Sequence, residues 1–248
     1  MSNPDDPNPL AKTSDLVSRF YSEDARNNDD FFRKTLYRHL RPEALVLDVG
    51  AGTGRLFQYD IKEKVHELTG VDLDPRVEDN PLLDQGIVGD LYNLPFEDSH
   101  FDVAFCRYVL EHVDRPTDFA SEIHRVLRPG GCFVFLTPNR WHYVTLISRI
   151  TPPSFHTWLN RRRGRDDADT FPTRYLLNSS RQLERHFASA GFVRESLTYR
   201  ECCPNYLKFS RPLFLLGVLY ERTVNRFEIL RFLRVNLVGT FRKEGVAN

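Results

Sequence analysis

Short apolar runs recur along the chain and alternate with stretches of helical or polar spacing. Each run has the length of a buried strand and is bounded by glycine, proline or acidic residues. The predicted strands occupy residues 44–49, 67–72, 86–89, 101–106, 132–137, 192–199 and 237–242. Between the fourth and the fifth strand, residues 114–127 have helical spacing and stop at Pro129-Gly130-Gly131. Because strands that alternate with helices connect by right-handed crossovers, the pattern predicts parallel pairing.

The strand pattern indicates an α/β protein with a Rossmann-like, doubly wound sheet. We expect seven strands, mostly parallel, with an antiparallel last strand. Aromatic and aliphatic positions ahead of the first strand have helical spacing, and helical insertions interrupt the pattern after the fifth strand. These insertions are predicted to form a cap at the carboxyl ends of the strands.

The segments of the chain are predicted to form one domain behind a short tail. Residues 1–14 are rich in Pro, Asn and Asp and carry too little apolar surface to fold, so a disordered tail is expected there. A single α/β domain is then predicted to fill residues 15–248. Within it we distinguish N-terminal lid helices (15–40), a cofactor-binding core (41–138), a cap insertion (139–175) and a helical insertion (205–232).

Composition narrows the range of functions. Lys and Arg total 34, as do Asp and Glu, so no net field favours nucleic acid and none is expected as a partner. The start of the chain has neither the basic nor the apolar region of a signal peptide, which favours a cytoplasmic protein. The four cysteines lack the spacing of a zinc site, so we expect reduced thiols and no metal.

The turn after the first predicted strand carries the main cofactor signal. Asp48 is the penultimate residue of the strand, and Gly50, Ala51 and Gly52 follow in a GxGxG spacing that ends at Gly54. A dinucleotide site has GxGxxG instead, and a carboxylate at Asp48 would repel a pyrophosphate. The same carboxylate would attract a ligand that presents an ammonium group, as S-adenosylmethionine does. An NAD-dependent oxidoreductase is the rival interpretation.

Two further acidic residues follow the next two strands. Asp72 lies about twenty residues past the glycines, where a carboxylate accepts hydrogen bonds from ribose hydroxyls. Asp90 follows the third strand, at a position from which it can accept from an adenine amino group while Leu91 packs on the ring. An NAD site shares the first feature but does not need all three acids.

These residues, together with Leu94-Pro95-Phe96, Leu110-Glu111-His112 and the Arg125 to Gly131 turn, resemble the small-molecule methyltransferases called type 11, within the class I S-adenosylmethionine-dependent enzymes. The resemblance is strong over residues 45–139 and weak as far as 198. It implies S-adenosylmethionine as cofactor and S-adenosylhomocysteine as product. The matching positions that line the cofactor pocket in that family are Asp48, Gly50, Gly52, Asp72, Leu73, Asp90, Leu91 and Arg107.

Methyl transfer from a sulfonium is an in-line displacement, so the protein chiefly aligns the acceptor and excludes water. A general base is needed only where the acceptor must lose a proton. His112, His142 and His156 are the candidate bases, with positioning or packing as the alternative for each. Tyr21 is the predicted lid residue nearest the methionine end of the cofactor, with packing against flanking helices as its alternative.

The acceptor is predicted to be a small-molecule, glycan-type or lipid-linked metabolite. Residues 212–219 are strongly apolar, which suits a buried helix, a homodimer surface or, through 205–232, peripheral contact with a membrane. The arginines at 161–165 are followed by aspartates and form either a solvated loop or an anion site. A non-catalytic module that binds S-adenosylmethionine is the second rival function.

Overall fold

The computed structural model describes residues 13–54, 60–150 and 172–245. The predicted tail up to residue 12, the candidate base His156 and the arginine run at 161–165 lie outside these ranges. Contacts group the chain into two compact units. The core unit comprises Phe31–Pro138, Pro172–Thr198 and Leu237–Asn248, and the helical unit comprises Met1–Asp30, Asn139–Phe171 and Tyr199–Asn236.

One seven-stranded sheet organises the fold. Its strands, in chain order, are β1 Leu45–Val49, β2 Glu67–Asp72, β3 Gln85–Val88, β4 Phe101–Arg107, β5 Leu127–Pro138, β6 Phe192–Arg200 and β7 Asn236–Lys243. Their spatial order is β3-β2-β1-β4-β5-β7-β6. The pairs from β3 through β5 are parallel, and the last strand supplies the antiparallel part. The Rossmann-like seven-stranded prediction is confirmed.

Six α-helices are described, in addition to several short 3-10 turns. They are α1 Ser14–Phe20, α2 Asp29–Tyr37, α3 Pro116–Val126, α4 Tyr143–Ile150, α5 Ser180–Ser189 and α6 Arg211–Arg226. The predicted crossover helix at 114–127 corresponds to α3, which has Pro116 at its first turn. Ser179 caps α5, and its hydroxyl accepts from the Gln182 amide.

The centre of the core unit is apolar on both faces of the sheet, as a parallel sheet requires. Val46, Val103 and Val134 lie on neighbouring strands and are fully or almost fully buried. Phe32 and Leu36 of α2 pack against this cluster and are completely buried. A second layer consists of stacked phenylalanine rings, with centroids 5.3 Å apart for Phe133 and Phe187 and 4.6 Å apart for Phe187 and Phe241.

Two element boundaries differ from those read from the sequence. β5 begins at Leu127, ahead of the predicted start at residue 132, because Leu127 already pairs with Phe101 across an irregular register. At the N-terminus, Ser14 begins α1, and the Thr13 hydroxyl donates to the Lys208 carbonyl oxygen at 2.8 Å. Both Thr13 and Ser14 had been assigned to the tail, and this long-range hydrogen bond explains why order begins earlier.

The helical unit has a small core of its own. Leu16, Val17 and Tyr21 from the N-terminal segment pack with Phe214 and Val218 of α6. In the ranges described, no helix combines the length and the apolar character that crossing a bilayer requires. The helical insertion predicted at 205–232 contains α6 between two 3-10 turns, Asn205–Leu207 and Glu228–Leu233.

Candidate functional site

The turn that follows β1 lies at the reversal point of the strand order. β1 pairs with β2 on one side and with β4 on the other, and in open α/β sheets this is where ligands bind, at the carboxyl ends of the strands. Gly50 and Gly52 have positive φ values of 77° and 55°. The amides of Gly50 and Ala51 both donate to the Val71 carbonyl, at 2.8 and 3.2 Å. The turn is therefore fixed to the end of β2.

The two glycines of this turn are needed for different reasons. A Cβ on Gly50 would lie 2.4 Å from Val109 Cγ2, so packing excludes a side chain there. A Cβ on Gly52 would meet no atom of the described residues within 4 Å. The Gly52 amide donates to Asp72 Oδ2 at 2.9 Å. Gly52 therefore borders open space beside a carboxylate, which is the shape of a ligand cradle.

Asn80 also supports the glycine turn, and this role was not predicted from the sequence. Its side-chain Nδ2 donates to the carbonyl oxygens of Ala51 and Gly52, at 3.3 and 3.1 Å. Its Oδ1 accepts from the Leu82 amide at 3.0 Å, and the side chain is buried. The only local signal was the Asn-Pro dipeptide, which indicates a turn but no partner.

Three charged side chains meet at the ends of β1, β2 and β4. Burial and the neighbouring Asp72 carboxylate raise the pKa of Asp48 to about 7, while the Arg107 guanidinium opposes that rise. Asp72 Oδ1 accepts from the Asp74 amide at 2.9 Å, so backbone donors orient both of its oxygens. Two close carboxylates, one of them partly protonated near neutral pH, favour a cationic ligand.

The loop after β3 brings the third acid to the same edge of the sheet. Asp90 is exposed; its Oδ1 accepts from the Tyr92 amide at 3.0 Å, and its Oδ2 lies 3.8 Å from Arg115. Leu91 is partly buried, whereas Leu73 is 60% exposed at the end of β2. An apolar side chain so exposed beside acids suits contact with a flat ring.

Comparison with known proteins identifies the family. A methyltransferase domain family matches residues 47–135. A sterol 4-C-methyltransferase of Caenorhabditis elegans is 34% identical over 133 residues, which cover 45% of this chain and 40% of that protein. A demethylmenaquinone methyltransferase of Symbiobacterium thermophilum is 31% identical over 180 residues, which cover 62% of this chain and 70% of that protein. The chain belongs to the class I S-adenosylmethionine-dependent methyltransferases.

A solved structure shares the fold of this methyltransferase. Geranyl diphosphate methyltransferase in complex with S-adenosylmethionine superposes with a TM-score of 0.55 at 16% identity, over 98% of this chain and 93% of that one. The chain spans less than half the length of the sterol methyltransferase. The predicted family and the predicted cofactor are confirmed by these relatives.

The residues at the carboxyl end of the sheet fit S-adenosylmethionine. The raised pKa of Asp48 shows a carboxylate that a cationic ammonium group would stabilise in its ionised form. The open space at Gly52 admits a ligand against the backbone. Asp72 retains lone pairs for ribose hydroxyls, and Leu73 and Asp90 remain the predicted adenine contacts. The assignment of each of these residues to the methyltransferase pocket stays a prediction.

His112 is the one candidate base that lies in the core unit. Its Nδ1 lies 3.0 Å from the Pro172 carbonyl oxygen, which can only accept, so Nδ1 carries the proton. Burial lowers the pKa of His112. The amides of Arg174 and Tyr175 donate to the Glu111 carbonyl, at 2.6 and 3.1 Å, and tie the same two segments together. His112 is thereby a neutral imidazole with its lone pair on Nε2.

His142 and Tyr21, the other two candidates within the described ranges, both lie in the helical unit. His142 is buried, and its Nε2 lies 3.5 Å from Glu201 Oε2. The Tyr21 hydroxyl donates to Glu221 at 3.1 Å, and its ring packs edge-on against Phe214. Tyr21 thus has the helix-packing contacts of its alternative interpretation. Its lid role and the catalytic role of His142 stay predictions.

The buried Glu201 predicts an unusual dependence of stability on pH. Burial raises the pKa of Glu201 to about 8, while burial lowers that of His142 to about 3. Between about pH 4.5 and pH 8 the unfolded chain ionises this carboxyl whereas the folded chain keeps its proton. A raised carboxyl pKa therefore contributes stability at low pH that is lost as the pH rises.

We expect the Glu201→Gln variant to lose that pH dependence. Relative to this variant, the wild type should lose about 1 kcal/mol of unfolding free energy per pH unit across the window. Urea unfolding at a series of pH values measures the difference. The depressed pKa of His142 acts in the opposite direction below about pH 6.5, but it is common to both proteins. Parallel pH profiles would contradict the prediction.

Proposed function

We propose that the chain transfers a methyl group from S-adenosylmethionine to a hydrophobic, lipid-like small molecule. The assignment of S-adenosylmethionine as the methyl donor rests on one observation: Gly52, Asp48 and Asp72 lie together at the reversal point of the strand order. For the acceptor, support comes from relatives that are named for sterol and demethylmenaquinone substrates. A glycan-type acceptor is the less supported choice.

The cofactor supplies a methyl group that the positive sulfur has already activated. The chain's own residues then need to bind the cofactor and the acceptor, orient them and exclude water from between them. Asp48 balances the ammonium charge, and Asp72 orients the ribose while its other hydrogen bonds keep the glycine turn in place. Pre-ordered backbone contacts of this kind reduce the entropy lost when donor and acceptor are aligned.

His112 is the residue that we assign to proton transfer. A neutral imidazole whose Nδ1 proton is directed to a carbonyl presents Nε2 as an acceptor, and the lowered pKa keeps that nitrogen unprotonated at neutral pH. The adjacent segment from Pro172 to Tyr175 holds the ring in place through backbone hydrogen bonds. An acceptor hydroxyl or acidic carbon would deliver its proton there.

Replacing His112 by glutamine should separate chemistry from binding. We expect turnover to fall by roughly 100-fold or more, since a positioned base contributes about that much, while the affinity for S-adenosylhomocysteine stays within about twofold. The assay is transfer of labelled methyl groups, with calorimetry for binding. The matched control is His186→Gln, because His186 lies on α5 beside Thr117 and away from the glycine turn. Equal turnover of the two variants would remove His112 from the chemistry.

The function itself is tested by incubating the purified protein with labelled S-adenosylmethionine and separate lipid and aqueous extracts. Label in a lipid-soluble product, identified by mass, is the expected result. Label only in aqueous products would contradict the acceptor class. Binding of S-adenosylhomocysteine without transfer to either extract would favour the non-catalytic module, and binding NAD ten times more tightly than S-adenosylhomocysteine would favour the oxidoreductase.

A further inference from the structure

The outward face of α6 is built of leucines. Its inward face is regular, with Phe214, Gly217, Val218, Glu221 and Val224 buried at helical spacing. On the opposite face, Leu215 is 45% exposed, Leu216 60% and Leu219 63%. A helix on the surface of a water-soluble domain ordinarily carries polar residues at these positions. The leucine face therefore calls for an apolar environment that the described residues do not supply.

The apolar exposure continues past the end of the helix. Phe227 is 55% exposed and Ile229 83% exposed, the latter in the 3-10 turn that follows α6. Phe232, at the end of the same turn, is 46% exposed. We call Leu213–Leu219 and Phe227–Phe232 together the leucine surface. Single exposed apolar residues are common on proteins, whereas a consecutive set on one short segment marks an interaction site.

The charges around this surface are predominantly basic. Residues 205–234 contain six Lys and Arg and only two Asp and Glu, although the whole chain has 34 of each sign. Both acids are already neutralised or occupied: Glu221 is buried against the Tyr21 hydroxyl, and Glu228 pairs with Arg231 and Arg234. Arg226 follows Leu219 by seven residues, which places it on the leucine side of the helix. Arg222 lies at the border of this side, where its guanidinium is 3.4 Å from Glu221 and above the Tyr21 ring.

We propose that the leucine surface docks on an anionic phospholipid bilayer, with the leucines at the acyl boundary and the arginines at the phosphate groups. A helix with an apolar face flanked by basic side chains is the usual composition of such interfacial segments. Each arginine near an anionic leaflet adds about 1 kcal/mol of attraction. The charge pattern also disfavours a second copy of this chain, because a two-fold contact through this face would bring two predominantly basic surfaces together.

Membrane docking goes beyond the proposed function and needs no turnover to be measured. It also explains how a lipid-like acceptor would reach the protein, because such molecules concentrate in bilayers. The methyl-donor residues all belong to the core unit, whereas the leucine surface belongs to the helical unit. Substitutions on the surface therefore leave the cofactor contacts unchanged, and failure of docking can be told apart from failure of the donor assignment.

Flotation of the full chain with vesicles tests the proposal. The wild type should float with phosphatidylcholine vesicles that contain phosphatidylglycerol, and weakly with phosphatidylcholine alone. For the double variant Leu216→Gln, Leu219→Gln, the partition coefficient into the anionic vesicles should fall at least about tenfold, because less apolar surface is buried on binding. Glutamine is a good helix former, so α6 is kept. Arg226→Gln should weaken binding to the anionic vesicles about fivefold.

The matched control is Val193→Gln, which removes a side chain that is 50% exposed on β6 of the core unit. It should float like the wild type, and calorimetry with S-adenosylhomocysteine should give equal affinity for all four proteins. Equal flotation of the wild type and the double leucine variant would overturn the proposal. A second outcome would also overturn it: the wild type sediments as a dimer and does not bind vesicles, and the double leucine variant sediments as a monomer.

Discussion

Alanine at Gly52 should abolish the binding of S-adenosylhomocysteine, whereas alanine at Gly130 should leave it intact. Both glycines have positive φ, 55° and 82°, and within the described ranges a Cβ on either would meet no atom closer than 4 Å. They differ in what occupies that space. Gly130 lies in an exposed turn within β5, while Gly52 borders the cradle beside Asp72. A methyl group there would take the volume that the ligand needs.

Both substitutions strain the backbone at a positive φ, so a difference in ligand affinity between the two variants reports on the ligand site alone. Forcing a non-glycine residue into the left-handed region costs roughly 1 to 2 kcal/mol, so both variants should lose similar unfolding free energy in urea. Calorimetry should then show a loss of affinity of at least about 100-fold for Gly52→Ala alone, since a steric overlap cannot be relieved by a fixed turn. Equal affinities for the two variants would place the ligand elsewhere.

Asp72→Ala should weaken binding of S-adenosylhomocysteine by about 1.5 to 3 kcal/mol, the loss expected for hydrogen bonds to a charged acceptor. The structure gives a second reason for the effect. The same carboxylate accepts from the amides of Gly52 and Asp74, so its removal also frees the turn that faces the ligand. Asp72→Asn keeps one acceptor oxygen and should fall between the wild type and the alanine variant.

Asp84→Ala is the matched control for that measurement. Asp84 also accepts a hydrogen bond from a backbone amide, that of Leu68 at 2.8 Å, but it does so at the amino end of β2. Its loss should lower stability without changing the affinity for S-adenosylhomocysteine. If calorimetry gave the same affinity for Asp72→Ala and for Asp84→Ala, the ribose contact would have to be reassigned.

The sequence predicted the sheet well because parallel strands carry a local signal. Each of β1, β2 and β4 is a short, largely buried segment that carries a charged residue, Asp48, Asp72 or Arg107, at or near its carboxyl end. Spacing alone therefore placed Asp48 and Asp72 at one edge. The glycine turn was recognisable from local sequence too, since positive φ values favour glycine and glycine is visible in a sequence.

What the sequence did not predict depends on contacts between distant segments. Asn80 supports the glycine turn across about 28 residues, and nothing in its neighbourhood predicts that partner. The approach of Glu201 to His142 joins segments even farther apart, and the burial of both side chains shifts their pKa values. Likewise, the sequence showed that residues 212–219 are apolar but not which of them face outwards, since that depends on what the inward face of α6 packs against.

The position of β7 in the sheet has a consequence for the order of assembly during synthesis. β7 separates β5 from β6, although it follows both in the chain. Until residues 236–243 have emerged from the ribosome, β5 and β6 each present an open edge, and the ring of Phe241 is missing between those of Phe135 and Phe187. In a nascent chain, two unpaired strand edges are therefore open to aggregation until β7 has been synthesised and pairs with both.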